Sequence, residues 1–339
     1  MRTVITGGAG FIGSHLTDYL LERGDHVTVF DDLSTGTLEN LEAALQHPNF
    51  TFIEGTVLNK SAVHDAIAGS DRVFHLAAAV GVQLIVEQPL TSLRTNIHGT
   101  ENVLDAVKAA GAKLLLASTS EVYGKNSSDA LHEDSDRILG DALKSRWTYA
   151  AAKGIDEAFA HAYWTEYGVP VSIVRLFNTV GPRQTGRYGM VVPNLIGQAL
   201  TGTPLTVFGD GQQTRCFSYV ADVVPAIVKL IEDERSIGQA YNLGGAQEIS
   251  IYALANQIVE HLGSDSLISL VPYDQAYAAG YEDMRRRVPD NTKANTLIGF
   301  VPETGIAQII DFVAQDLRTR KGLEDRLMQQ AGSMLSATV

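Results

Sequence analysis

The glycines that follow the first apolar run constrain this 339-residue chain more than any other feature. Arg2-Thr3-Val4-Ile5-Thr6 reads as a buried strand and leads directly into Gly7-Gly8-Ala9-Gly10-Phe11-Ile12-Gly13. From Gly13 to Arg23 the apolar residues recur at helical spacing. A glycine turn between a strand and a helix lets the backbone approach a pyrophosphate, while the helix N-terminus offers N–H groups and the positive end of its dipole. The next strand, His26–Phe30, leads to Asp31, 18 residues after Gly13. A carboxylate at that place accepts hydrogen bonds from ribose hydroxyls and repels a 2′-phosphate, so the residues predict NAD rather than NADP. Asp32 follows, with no arginine at either position. Gly55-Thr56-Val57 after the third strand is expected near adenine, and Leu76-Ala77-Ala78 after the fourth near the nicotinamide ribose.

Short apolar runs alternate with helical patterns through the first half. Strands are predicted near Thr3–Thr6, His26–Phe30, Phe50–Glu54, Arg72–Leu76, Lys113–Ser118 and Val171–Leu176, with helical stretches such as Leu90–Ala110 and Arg146–Tyr167. This alternation predicts an α/β chain with a Rossmann-like, doubly wound parallel sheet. After Gly181-Pro182 loops rich in Gly, Pro and Asp interrupt shorter elements, and Pro193 opens another helical pattern. The expected division is a cofactor domain over residues 1–178 with a return at about 214–243, and a smaller α/β domain from about 179–213 and 244–320. The tail, residues 321–339, is expected to be poorly ordered.

A formal net charge of −13 argues against nucleic acid as a partner. Cys216 is the single cysteine, which rules out an internal disulfide and a multi-cysteine metal site, and it reads as packing. No metal site is expected. No apolar run reaches the roughly 18 residues needed to span a bilayer, and the stretch before the glycine turn is too short for a secretory leader. The chain is expected to be cytoplasmic, with no membrane partner.

Tyr149-Ala150-Ala151-Ala152-Lys153 sets a phenol and an ammonium four residues apart, on one face of a helix. A cation beside a phenol stabilises the phenolate, so Tyr149 is predicted to act as general base on an alcohol. Lys153 would also hold the nicotinamide ribose. Ser118-Thr119-Ser120-Glu121, just past the fifth strand, supplies hydroxyls to hydrogen-bond the same alcohol.

Together these residues resemble the extended short-chain dehydrogenase/reductase family, and within it the NAD-dependent nucleotide-sugar epimerases, dehydratases and decarboxylases. The resemblance spans about residues 1–315. It rests on Thr6-Gly7-x-x-Gly10-x-x-Gly13, Asp31-Asp32-Leu33-Ser34-Thr35-Gly36, His75-Leu76-Ala77-Ala78, Thr119-Ser120-Glu121-Val122-Tyr123-Gly124, the Tyr149/Lys153 pair, and Arg175-Leu176-Phe177-Asn178-Thr179-Val180-Gly181-Pro182-Arg183. It implies cofactor contacts from Gly7, Gly10, Phe11, Ile12, Gly13, Asp31, Asp32, Ser34, Thr35, Gly36, Thr56, Val57, Leu76, Ala77, Ala78, Ser118, Tyr149 and Lys153. Relatives often carry Asp where Thr56 stands. Thr119 is implied as the proton relay. A nucleoside diphosphate is implied in the second domain, held by Asn178, Val192 in the Val191–Leu195 segment, Leu205, Val207 and Arg215, with Val80, Thr119, Ser120, Glu121, Arg187 and Arg287 as further substrate contacts. Uridine is the default nucleotide. A homodimer through the helices Leu90–Ala110 and Arg146–Tyr167 is also implied.

Within that family the first step oxidises the sugar at C4, and the branches differ in what the ketone does next. A similar 4,6-dehydratase would carry Asp where Ser120 stands, and a serine is a poor acid for expelling water. Thr-Ser-Glu, Arg146-Trp147-x-Tyr149 and Arg287-x-Pro289 resemble the decarboxylases that act on UDP-glucuronate. The resemblance therefore implies UDP-glucuronate decarboxylation to UDP-xylose. The alternative is 4-epimerisation of UDP-glucose or UDP-glucuronate, and a third reading is a non-catalytic NAD sensor. Arg287 would bind either the substrate carboxylate, through two parallel hydrogen bonds, or the diphosphate; Arg187 and Arg183 are the alternative carboxylate contacts.

Overall fold

The computed structural model describes residues 1–79, 88–144, 147–186, 189–276 and 284–320. Val80, Arg146, Arg187 and the 321–339 tail lie outside the described residues.

Consecutive apolar residues in the first strands are the signature of a parallel sheet covered on both faces. The sheet is built in that way from β1 (Arg2–Thr6), β2 (His26–Asp31), β3 (Phe50–Glu54), β4 (Arg72–His75), β5 (Lys113–Thr119) and β6 (Val171–Leu176). The pieces β7 (Thr179–Val180), β8 (Leu205–Phe208), β9 (Thr214–Cys216) and β10 (Ser218–Tyr219) follow, and β11 (Ala240–Leu243) returns to the main sheet. The order is β11-β6-β5-β4-β1-β2-β3, with every pair parallel. The predicted strands fall within a residue of these bounds. The seventh strand, β11, was not predicted as a strand: it is short and carries Asn242, buried.

One face of the sheet is covered by α1 (Phe11–Glu22), and the other by α2 (Lys60–Ile67), α3 (Pro89–Ala110) and α4 (Thr148–Tyr167). The helix α4 ends where Gly168 takes φ of 70°, a left-handed conformation that glycine adopts without strain. Two further helices, α5 (Val191–Thr201) and α6 (Val220–Glu232), separate in function of packing: α6 joins α1 on the first face, whereas α5 belongs to a third apolar cluster. That cluster also takes in β8, α7 (Ile251–Leu262) and residues 306–314. Here β9 pairs with β12 (Glu248–Ser250) and β8 with β13 (Ile268–Val271).

The chain passes from β3, at one edge, back to β4 beside β1. The connections on either side of this reversal part at the C-terminal ends of β1 and β4, which opens the crevice where ligands bind in open α/β sheets. No helix among the described residues is long and apolar enough to cross a membrane.

Candidate functional site

The glycine turn lies at the reversal. Gly7 has φ of 74°, and a Cβ added there would stand 2.6 Å from the Ala77 backbone nitrogen. One on Gly13 would stand 2.3 Å from the Gly7 carbonyl oxygen. The turn is therefore pressed against the end of β4 and folded on itself, leaving no room for side chains. Helix α1 starts after Gly10 with no side-chain cap and no acidic residue in its first turn, so the amides of Phe11, Ile12 and Gly13 face no competing carboxylate. Replacing Gly13 by alanine is expected to lower stability by about 1–3 kcal/mol, through overpacking of the turn. It should weaken NAD binding by roughly tenfold or more, a factor equivalent to ~1.4 kcal/mol. Thermal melts with and without NAD check both.

Asp31 ends β2 and is buried; its Oδ2 accepts from the Ala9 amide at 2.9 Å and its Oδ1 from the Leu33 amide at 2.8 Å. Burial pushes its pKa up, and those two amide hydrogen bonds oppose the shift. Each oxygen keeps a lone pair for a ribose hydroxyl. Asp32, Ser34 and Thr35 are exposed on the loop beside it, and Gly36 packs on Ala9, where an added Cβ would stand 2.8 Å from the carbonyl carbon. Leu76, Ala77 and Ala78 are half-buried at the end of β4. Thr56 is half-buried after β3, whereas the Val57 side chain belongs to the apolar core, so a contact with adenine falls to its backbone. Likewise the Ser118 hydroxyl donates to Glu157 at 2.5 Å, so its proton is already engaged. An uncapped helix N-terminus, glycines with no room for Cβ and a carboxylate at the strand end fit a dinucleotide carrying free ribose hydroxyls.

The helix α4 brings Tyr149 and Lys153 to the end of β5. Both are buried. The Lys153 Nζ donates to Asp156 Oδ2 at 2.8 Å, within the same helix. Burial raises the proton affinity of the Tyr149 phenol, and the charges of Glu121 and Asp156 raise it further. The expectation that Lys153 lowers the phenol's pKa is therefore corrected for the chain's own groups: burial dominates and raises it, and the Lys153 ammonium is held by Asp156. Thr119 closes β5, where its Oγ1 accepts from the Glu121 amide at 3.2 Å and caps a single helical turn, Ser120–Tyr123. Ser120 is buried in that turn.

Arg287 reaches the same place from the far end of the sequence. Its Nη1 donates to Glu121 Oε1 at 2.9 Å and its Nη2 to Asn178 Oδ1 at 2.6 Å. Its segment is fixed by backbone hydrogen bonds between Leu131 and both Val288 and Asp290, at 2.9 and 3.0 Å. Asn178 has φ of 32° and also donates through Nδ2 to the Cys216 carbonyl. Arg183, by contrast, pairs with Asp18 at 2.7 Å, back on α1. Arg215 donates through Nη1 to the Thr214 and Met284 carbonyls, both at 2.8 Å.

Three expected substrate contacts have side chains that face the core, so only their main chain is open to a substrate. The side chains of Val192, Leu205 and Val207 are enclosed in the third apolar cluster. Alternation along β8 turns Leu205 and Val207 inward and leaves Thr206 and Phe208 half-exposed, so a nucleotide would meet those two or the main chain. Cys216 is buried and its thiol is pushed up to about 12, chiefly by burial, which leaves it unreactive as packing. The residues that sequence reasoning missed are Asp156, Glu157 and Arg175 as a frame. Arg175 holds Glu157 with two parallel hydrogen bonds of 2.9 and 2.8 Å, tying β6 to α4, and Ser118 adds β5. The spacing of Asp156 and Glu157 on α4, three and four residues beyond Lys153, was the available signal.

A doubly wound sheet, a glycine turn for a dinucleotide and a Tyr/Lys pair beside a Thr-Ser-Glu turn define the extended short-chain dehydrogenase/reductase class. More narrowly, the GDP-mannose 4,6 dehydratase family matches residues 4–313, and the chain belongs to that family. It is 40% identical over 316 residues to the UDP-N-acetyl-alpha-D-glucosaminuronate decarboxylase of Bacillus cytotoxicus, covering 92% of this chain and 97% of that protein. It is 39% identical over 322 residues to UDP-glucuronic acid decarboxylase 1 of Xenopus tropicalis, covering 93% of this chain and 73% of the other. Among solved structures, the UDP-glucuronic acid 4-epimerase from Bacillus cereus, in complex with UDP-glucuronic acid and NAD, superposes with a TM-score of 0.85 at 29% identity, covering 94% and 99% of the two chains.

Proposed function

We propose that this chain is an NAD-dependent UDP-glucuronate decarboxylase that forms UDP-xylose. The observation that carries this reading is Arg287, a buried guanidinium hydrogen-bonded to Glu121, two residues beyond Thr119. The C6 carboxylate of a hexuronate lies beside C4 on the ring, while the diphosphate hangs from C1. A cation joined to the Thr119–Glu121 turn is therefore suited to the carboxylate.

NAD, which the glycine turn, Asp31 and Lys153 would hold, would supply a reversible hydride acceptor for C4. Tyr149, as phenolate, takes the proton of the 4-hydroxyl, with the Thr119 hydroxyl hydrogen-bonded to the same oxygen. The resulting ketone makes the C6 carboxylate that of a β-keto acid. The C5–C6 bond breaks, CO2 leaves, and the electron pair moves onto the C4 oxygen as an enolate. The Tyr149 O–H and the Thr119 hydroxyl stabilise that oxygen by donating to it. Arg287 holds the carboxylate until it departs, and a water positioned by Glu121 supplies the proton to C5, the hydroxide left behind taking a proton from solvent. Ser120 offers no strong acid to expel the 6-hydroxyl, which sets this site apart from a dehydratase. Asn178 and Arg215 are assigned to the diphosphate, and Thr206 and Phe208 border the nucleotide.

Incubation with NAD and UDP-glucuronate tests the reading: CO2 and UDP-xylose are expected. A C4 epimer without CO2 would instead establish the epimerase alternative, which the likeness to the Bacillus cereus enzyme supports. The 40% identity to an N-acetylated hexuronate decarboxylase supports a second substrate for the same chemistry, and a parallel assay with UDP-N-acetylglucosaminuronate decides between them. We place the enzyme in the cytoplasm, as a homodimer through α3 and α4, which carry exposed Leu90, Ile155 and Tyr167.

A further inference from the structure

Lys153 is 2% exposed and its partner Asp156 is fully buried, a placement in which both charges lose most of their hydration. Such a pair persists only with good geometry, and removing one partner strands the other. Tyr149, Lys153 and Asp156 stand at i, i+4 and i+7 of α4, along one helical face. Behind the carboxylate lies a polar ladder crossing three elements. His75 on β4 meets the Thr6 hydroxyl through Nδ1 at 2.7 Å and the Thr100 hydroxyl of α3 through Nε2 at 3.1 Å. Burial, with Lys153 nearby, holds His75 at a pKa of about 3, so the ring is neutral and adds no charge. Burial raises the proton affinity of the Asp156 carboxyl, and the Lys153 ammonium and the Thr100 hydroxyl oppose that shift; its Oδ1 has no hydrogen-bond partner among the described residues.

We propose that Asp156 is a positioning residue that anchors the Lys153 ammonium and thereby sets the pH range in which Tyr149 works as base. The inference rests on the reading of Tyr149 as the base. Its physical content is the field at the phenol. A lysine alone would favour phenolate; a lysine paired with a carboxylate on the same helical face presents nearly no net charge. The other charge acting on Tyr149 is that of Glu121 after β5, itself paired with Arg287; the Arg137 guanidinium donates to the Ala150 carbonyl of α4, and Arg175 and Glu157, on β6 and α4, pair with each other. Among the described residues Asp156 is therefore the anion whose removal leaves the Lys153 charge unmatched.

The test compares the wild type with Asp156→Asn, which keeps the shape and an oxygen acceptor but not the charge, and Asp156→Glu, which keeps the charge. The Tyr149 ionisation is followed by NMR on NAD-saturated protein carrying 13C-labelled tyrosine, with Tyr149→Phe assigning the signal. In D156N the midpoint, or the onset where the midpoint lies above the stable range, should fall by about one pH unit, a tenfold rise in the ionisation constant. The acid limb of kcat/KM should move with it, and D156E should restore both. Asp156→Ser serves the same comparison if D156N does not fold. An unchanged or raised Tyr149 ionisation in a folded D156N or D156S would overturn the proposal, since a purely structural role lowers stability without moving that signal. If the wild type fails to turn over UDP-glucuronate, the functional reading falls while the tyrosine titration still decides the role of Asp156.

Discussion

Tyr149→Phe is expected to lower turnover of UDP-glucuronate by about 10²–10⁴-fold, the usual worth of a positioned acid–base group, while NAD stays bound. Phenylalanine fills the same buried space between α4 and the end of β5, so the fold has little reason to change. What is lost is the atom that takes the 4-hydroxyl proton. The same argument fixes a pH dependence. Burial first, then Glu121 and Asp156, raise the proton affinity of the phenol, and only the ionised form is a base. Wild-type kcat/KM should therefore climb as pH rises toward the phenol's pKa and fall about tenfold per unit below it. The residual activity of the variant should lack that slope. Steady-state rates across pH, with NAD binding measured by calorimetry, check both parts. A protein that only senses NAD would show no turnover to lose.

The parts of this site that were legible in the sequence are those held together by neighbours in the chain. Gly7 to Gly13 is one turn, Asp31 follows at the end of the next strand, and Tyr149 and Lys153 are a helical turn apart, so spacing alone places each set. The sheet was readable for a similar reason, because strands buried on both faces carry short, mostly apolar runs. Legibility failed where a side chain has two possible partners or a distant one. Lys153 suggests a partnership with Tyr149 when read four residues backward, but Asp156, three residues forward, holds its ammonium. Ser118 reads as a cofactor hydroxyl until Glu157 of α4, itself held by Arg175 of β6, accepts its hydrogen bond. Leu205 and Val207 are apolar residues at a recognisable motif, and the two-residue repeat of β8 turns them into the core. Arg287 and Glu121 are 166 residues apart, and only the folding of the 284–290 segment against Leu131 brings them to 2.9 Å.

That long-range contact makes Arg287→Met the other large effect. Removing the guanidinium takes away the proposed carboxylate contact and leaves Glu121, which is 17% exposed in its side chain, without its ion pair. Truncating one partner of a buried, hydrogen-bonded charge pair costs about 2–5 kcal/mol, so kcat/KM for UDP-glucuronate should fall by roughly two to three orders of magnitude. The distribution of the loss separates the two roles open to this arginine. If it holds the carboxylate, R287M should bind UDP-xylose and UDP nearly as the wild type does, because neither has a C6 group. If it holds the diphosphate, all three ligands should weaken together. Glu121→Gln supplies the control. It removes the anion that competes for Arg287 while keeping an oxygen to accept from Nη1, so a carboxylate-bearing substrate should bind at least as tightly, and the deficit should appear in kcat, where Glu121 is assigned to the proton that reaches C5. Calorimetric affinities for UDP, UDP-xylose and UDP-glucuronate across the wild type, R287M and E121Q give the comparison. Equal losses for all three ligands in R287M would move Arg287 to the diphosphate and leave the carboxylate without its assigned cation.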